Sequence, residues 1–391
     1  MASGSDKGSI GINTRLAKAA YDPHDYFGFV NPPVVHASTV LAPDAETRDR
    51  RDQPYTYGTS GTPTTEALCK AIDELEGSAG TIAVPSGLAA VTVPLLGFLS
   101  AGDHALFVDT IYFPTRRFAD GMLRRLGVDV EYYRPEIGAG IADLVRPETR
   151  VIFLESPASN TFEMQDVPAI VEVARKSGIV TMLDNTWATP LFFKPLDFGV
   201  DISIHAATKY PGGHSDVLLG TVSANEACWP RLWDTFLALG ACAGPDDVYQ
   251  IFRGLRTMGV RLERHQQSAL DIARWLETHP GVAEVLHPAL ESHPGHALWK
   301  RDFGGSSGLF GIVLADGGKA QAHAFLNALE IFGLGSSWGG FESLAVWVDL
   351  RDRTVSARDY AGPVIRLQIG LEDTADLMAD IEKGLHAAAA A

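Results

Sequence analysis

A lysine in a short turn after a β-rich run is the residue here with the clearest chemical potential. In SIHAATKYPGGHSD, residues 203–216, the run ends and Thr208-Lys209 precede a glycine-rich stretch. A protonated lysine is a poor nucleophile. Neighbouring cations or a dry pocket lower its pKa and free the amine to form a Schiff base with an aldehyde. The Thr208 hydroxyl is a candidate phosphate contact. Asp184 closes the run IVTMLD, and a carboxylate there can keep a heterocyclic nitrogen protonated. Ser86-Gly87, in VPSGLAAV, follow a strand and open a helix. Free amides and the helix dipole at such a junction favour a phosphate. Tyr112, in DTIYFPT, offers a flat ring for stacking.

Taken singly, each of these residues more often has a structural role. Lysine is usually exposed, Asp and Ser-Gly usually shape turns, and tyrosine usually packs. Together they supply an amine, a pyridinium partner, a phosphate cradle and a stacking ring. Those are the requirements of pyridoxal 5'-phosphate (PLP).

The elements that must position them alternate along the chain. β-rich runs occur at 81–84, 104–109, 128–133, 150–155, 179–184, 200–205 and 218–224. Helix-like stretches at 63–76, 86–99, 114–126 and 166–177 lie between most of them. This alternation predicts an α/β fold with a mainly parallel seven-stranded sheet, helices on both faces and ligands beyond the strands' carboxyl ends. Asp184 and His205 both fall at such ends. A long helix is expected over 245–278, then strands at 308–314 and 364–369 and helices at 318–331 and 374–387. The domains read as an irregular arm over 1–60, a cofactor domain over 61–256 and a smaller α+β domain over 257–391.

Bulk properties exclude several function classes. The 391 residues are 46% hydrophobic and 20% charged, enough for a large core. A net charge of −16 disfavours nucleic acid and anionic membrane as partners. Three widely spaced cysteines, Cys69, Cys228 and Cys242, form no disulfide framework or metal motif and fit a reducing cytoplasm. The first residues show no signal peptide, and the apolar run 88–99 is too short to span a bilayer. No G-x-G-x-x-G follows the first strand, which sets aside a nicotinamide dehydrogenase.

Several longer segments carry a family resemblance. They include YGTSGTPTTEAL (57–68), PSGLAA (85–90), LESP (154–157), DNTWATPLFFKPLDFGVDISIHAATKY (184–210), RGLRTMGVRLERH (253–265), SSWGGFES (336–343) and IRLQIGLED (365–373). Over residues 50–388 the sequence resembles the PLP-dependent enzymes of cysteine and methionine metabolism. The resemblance implies the aspartate-aminotransferase-like fold, known as fold type I. It also implies a homotetramer with active sites shared between paired subunits. By the same resemblance Lys209 is the Schiff-base lysine and Asp184 the pyridinium partner. Tyr112 stacks on the ring. The amides of Gly87 and Leu88, with Thr208, hold the phosphate. Tyr57 reaches in from a neighbouring subunit, and Arg366 clamps the substrate carboxylate with Ser337 and Trp338.

Trp338 stands where γ-acting relatives usually have leucine, and Ser159 where they usually have asparagine. Both point to β-elimination, with L-cystathionine giving L-homocysteine, pyruvate and ammonia in methionine biosynthesis. The alternatives are a γ-acting enzyme, a broad cysteine-S-conjugate β-lyase and a non-catalytic scaffold. One residue departs from the family pattern. The usual Tyr-x-Arg arginine, a phosphate contact, is Thr59 here; the expectation is that Arg50 or Arg51 compensates, or that more of the load falls on the helix N-terminus.

Overall fold

Each of the seven expected β-rich runs forms a strand, and all seven join one sheet. The computed structural model describes residues 10–391. Residues 1–9, the start of the arm and the stretch read as lacking a signal peptide, lie outside the described residues. The strands are β1 (Gly80–Val84), β2 (His104–Val108), β3 (Asp129–Tyr133), β4 (Thr149–Glu155), β5 (Val180–Asp184), β6 (Ile202–His205) and β7 (Gly220–Ala224). Their spatial order is β1-β7-β6-β5-β4-β2-β3. The pairs from β3 through β6 are parallel. β7 runs antiparallel between β6 and β1.

β2 is buried along its whole length, and β4 and β5 through most of theirs. Helices on both faces cause this, so these strands read as continuous apolar runs without alternation. Phe107 and Phe153 stack across β2 and β4 with centroids 5.5 Å apart. Such a pair adds about 0.5–1.5 kcal/mol beyond burial.

The helices carry ordinary start and stop signals. The Thr62 hydroxyl accepts the Thr65 amide to cap the helix Pro63–Glu76, and Gly77 ends it with a left-handed backbone. Ser86 caps the helix Gly87–Phe98 by accepting the Ala89 amide at 3.1 Å.

A second, antiparallel sheet packs the C-terminal region. It holds β8 (Val282–Leu286), β9 (Leu309–Leu314), β10 (Leu344–Trp347) and β11 (Val364–Gln368) in the order β10-β11-β9-β8. The expected helices appear at Lys319–Ala328 and Thr374–Ala389. The long helix Pro245–Leu276 serves both regions. Its Ile251, Phe252 and Leu255 pack with the first part of the chain. Its Ile272, Ala273 and Leu276 pack under the second sheet. The domain boundary drawn at 256/257 falls inside this helix. Among the described residues, no helix is long and apolar enough to cross a membrane.

Candidate active site

The parallel strands β2, β4, β5 and β6 all end at one edge of the large sheet, and the chemistry gathers there. Glu155 closes β4 and Asp184 closes β5, paired in register. Beyond β6 the chain turns through Thr208 and Lys209. A cavity of about 300 Å³ lies at this edge. Its walls include Gly87, Leu88, Tyr112, Asp184, Thr208, Lys209, Trp338 and Arg366. Eight of the expected site residues thus converge from six separate stretches of chain.

Lys209 lines the cavity. Its Nζ donates to Ser337 Oγ at 2.8 Å and lies 4.9 Å from the centroid of the Trp338 ring. Burial, then the nearby Arg366 charge, lowers its pKa to about 8, against the pull of Asp184. Gly339 makes this contact possible. Its φ is +81°, and a Cβ there would sit 3.0 Å from the Tyr210 amide nitrogen.

Asp184 is half-buried in the cavity wall, and its lost hydration pushes its carboxyl above the ordinary range. Bonds from the Thr186 hydroxyl and amide oppose that rise. Thr186 Oγ1 and N donate to Asp184 Oδ1 at 2.5 and 3.0 Å. A cation beside such a carboxylate favours its charged form. His205, by contrast, turns away from the cavity, with its Nε2 2.6 Å from Glu76 Oε1.

Ser86 spends its hydroxyl on Ala89, so the amides of Gly87 and Leu88 have no intrahelical partner. Gly87 is glycine for a further reason: a Cβ would fall 2.5 Å from the Ala206 Cβ. The Thr208 hydroxyl accepts the Leu219 amide at 2.9 Å and lies 3.2 Å from the Leu219 carbonyl. Rotating its O–H toward the cavity would keep the first bond.

Tyr112 is half exposed, and its amide donates to Glu155 Oε2 at 2.8 Å. Lost hydration, then the Asp184 and Glu155 carboxylates, hold its phenol above the ordinary range. Arg366 lies on β11. Its Nη2 donates to the Ser336 carbonyl at 2.9 Å and its Nη1 to Asn160 Oδ1 at 3.3 Å. Burial lowers its pKa to about 10, still fully charged at neutral pH.

Two expected participants lie elsewhere. Tyr57 stands in a separate cavity on the arm, with Arg48 and Arg51. Thr59 lines another, with Tyr55 and Trp229. Arg50 is engaged by Asp52 at 2.6 Å. Glu155, Asn160 and Thr186 had no assigned role in the sequence. The signal available for Glu155 was an acid closing an otherwise apolar strand.

The arrangement fits a phosphorylated pyridine aldehyde. An amine of lowered pKa, a carboxylate and a helix N-terminus share one cavity. The comparisons with known proteins agree. The family described as "Cys/Met metabolism PLP-dependent enzyme" matches residues 13–386. The chain belongs to this family. Its cofactor is therefore PLP, and it is a PLP-dependent lyase.

Among its relatives, a Rhizobium johnstonii protein provisionally named cystathionine β-lyase is 66% identical, covering 98% of this chain and 99% of that one. The Escherichia coli cystathionine β-lyase MetC is 42% identical over 95% of this chain and 98% of its own. The crystal structure of cystathionine γ-synthase from Xanthomonas oryzae pv. oryzae, in complex with aminoacrylate and cysteine, superposes with a TM-score of 0.91. It is 32% identical and covers 97% of this chain and 99% of that one. The fold is thus fold type I, and the activity class is carbon–sulfur lyase chemistry in cysteine and methionine metabolism.

Proposed function

We propose that this chain is a β-lyase that cleaves L-cystathionine with water to L-homocysteine, pyruvate and ammonia, in methionine biosynthesis. The observation that carries the reading is Trp338, whose ring flanks the Lys209 amine where γ-acting relatives usually have leucine. Bound PLP supplies an electron sink for the charge that develops at the substrate Cα.

The chain's own residues do the rest. Lys209 would hold the cofactor through its Nζ, and the same Nζ, when free, removes the substrate Cα proton. A pKa of about 8 suits a base working near neutral pH. Asp184 keeps the ring nitrogen protonated. The Gly87 and Leu88 amides, with the Thr208 hydroxyl, hold the phosphate. Tyr112 covers the ring. The Arg366 fork holds the substrate carboxylate, helped by Ser337 and Trp338. Lys209 or Tyr112 protonates the departing sulfur.

The assembly we propose is a cytoplasmic homotetramer in which Tyr57 reaches the site of a neighbouring subunit. Arg51, which lines the same cavity as Tyr57, is then better placed than Arg50 to replace the arginine missing at position 59.

Turnover of L-cystathionine with identification of the keto acid tests the reaction. Pyruvate is expected as the main product. Predominant 2-oxobutyrate would mean γ-elimination and overturn the reading.

Cofactor capture carries a second prediction. Only the neutral amine attacks an aldehyde. Apo-enzyme mixed with PLP should develop its visible absorbance faster as pH rises through about 8, and no faster beyond about 9. A rate that keeps climbing to the ordinary lysine range, about 10.4, would show that the pocket does not lower the Lys209 pKa.

A further inference from the structure

We infer that the loop 348–363 is a latch, and that Asp109 and Arg353 are positioning residues that set the substrate-carboxylate end of the site through it. The inference rests on the reading of Arg366 as the carboxylate clamp.

The loop connects β10 to β11 and leads directly into the strand that bears Arg366. It leaves its own sheet and meets the large one at Asp109, just past β2. Asp109 is fully buried. Its Oδ2 accepts the amides of Val355 and Ser356 at 2.9 and 2.8 Å and the Ser356 hydroxyl at 2.6 Å. Its Oδ1 accepts the Thr354 hydroxyl at 2.7 Å and pairs with Arg116. Successive loop amides and hydroxyls thus converge on one carboxylate from a segment more than 240 residues away. Burial alone would raise the Asp109 carboxyl, but bonds from Ser356, Thr354 and Val355 hold it well below the ordinary range. It stays charged, and each bond to it is charge-assisted.

Arg353 carries this anchoring to the cavity. Its Nη1 donates to the Asp109 carbonyl at 2.9 Å and its Nη2 to the Ser159 carbonyl at 2.8 Å. Ser159 is also tied back to the Thr110 carbonyl through its own amide, at 3.1 Å. The next residue, Asn160, accepts from Arg366. Arg366 is therefore held from two sides, by the strand that the loop feeds and by the segment that Arg353 grips. Tyr112 follows Asp109 by three residues and shares the same anchor. A loop with only a structural role would add stability and leave substrate affinity alone. A latch sets affinity.

The test uses the PLP-loaded enzyme with Arg353→Gln. Keto-acid release against L-cystathionine concentration should show KM raised about tenfold, as for one lost charged hydrogen bond, and kcat within about twofold. The substrate dissociation constant, read from the visible absorbance of bound PLP, should rise in step. Arg353→Lys should recover part of the loss. Unchanged KM, with or without a lower melting temperature, would overturn the latch. So would a fall in kcat at constant KM. Should Arg353→Gln fail to accumulate, Ser356→Ala reads the same quantity, with about a threefold rise in KM expected for one weaker bond and no rise overturning the proposal. A native enzyme that binds substrate but releases no pyruvate would sink the β-lyase reading instead, and the absorbance titration would still judge the latch.

Discussion

Lys209→Ala is expected to release no keto acid above background, a loss of at least about 10⁴-fold for a group that serves as both nucleophile and proton carrier. The same protein should not develop the visible absorbance of covalently held cofactor. Nothing else in the cavity can substitute. The other charged side chains among its lining residues are Glu155, Asp184 and Arg366. Neither carboxylate can form the imine, and Arg366 keeps its proton at neutral pH. The fold should survive, because the Lys209 amine lies at the cavity, where it bonds the Ser337 hydroxyl and faces the Trp338 ring, rather than in the packed core. Pyruvate production at a few per cent of the native rate would contradict the assignment.

Asp184→Asn removes a charge and keeps a shape, which makes it the sharper test of the pyridinium partner. The amide oxygen can still accept from Thr186, so the strand end should stay in place. What is lost is the negative charge that keeps the ring nitrogen protonated. Removing one such preorganised electrostatic contact costs about 10²–10³ in kcat. The loss belongs to the transition state, so kcat should fall with little change in KM. Measuring both on L-cystathionine decides the matter. A raised KM at normal kcat would place Asp184 in binding rather than in charge stabilisation.

How much of this was legible in the sequence follows from where each interaction comes from. β2, β4 and β5 are visible as apolar runs because helices cover both faces, whereas β3, DVEYY, is half buried and shows by its β-favouring Val and Tyr residues. β8 and β10 went unread for opposite reasons. Val282–Leu286 carries Ala and Glu and is only half buried, so it reads poorly as a strand. Leu344–Trp347 is four residues long and owes its conformation to pairing with β11. The helix expected over 114–126 divides into Phe113–Phe118 and a wider π turn, Ala119–Leu123, that holds Gly121.

In the site, Lys209 and Asp184 were readable because chemistry-bearing residues beside strand ends stand out against apolar runs. Glu155 sat in a recognised motif but gained its contact with the Tyr112 amide only from the fold. Arg353 gave no local signal, since its partners lie nearly 200 residues or more away in the chain. The arm is a different case. Tyr57 lies outside its own chain's active-site cavity, so its expected role depends on a neighbouring subunit.

Reducing the purified, PLP-loaded protein with borohydride, digesting it and locating the cofactor by mass spectrometry tests the central claim most directly. The account predicts a single modified peptide, with the pyridoxyl group on the side-chain nitrogen of residue 209. A label on another lysine, or none on a protein that has taken up the cofactor, would contradict it.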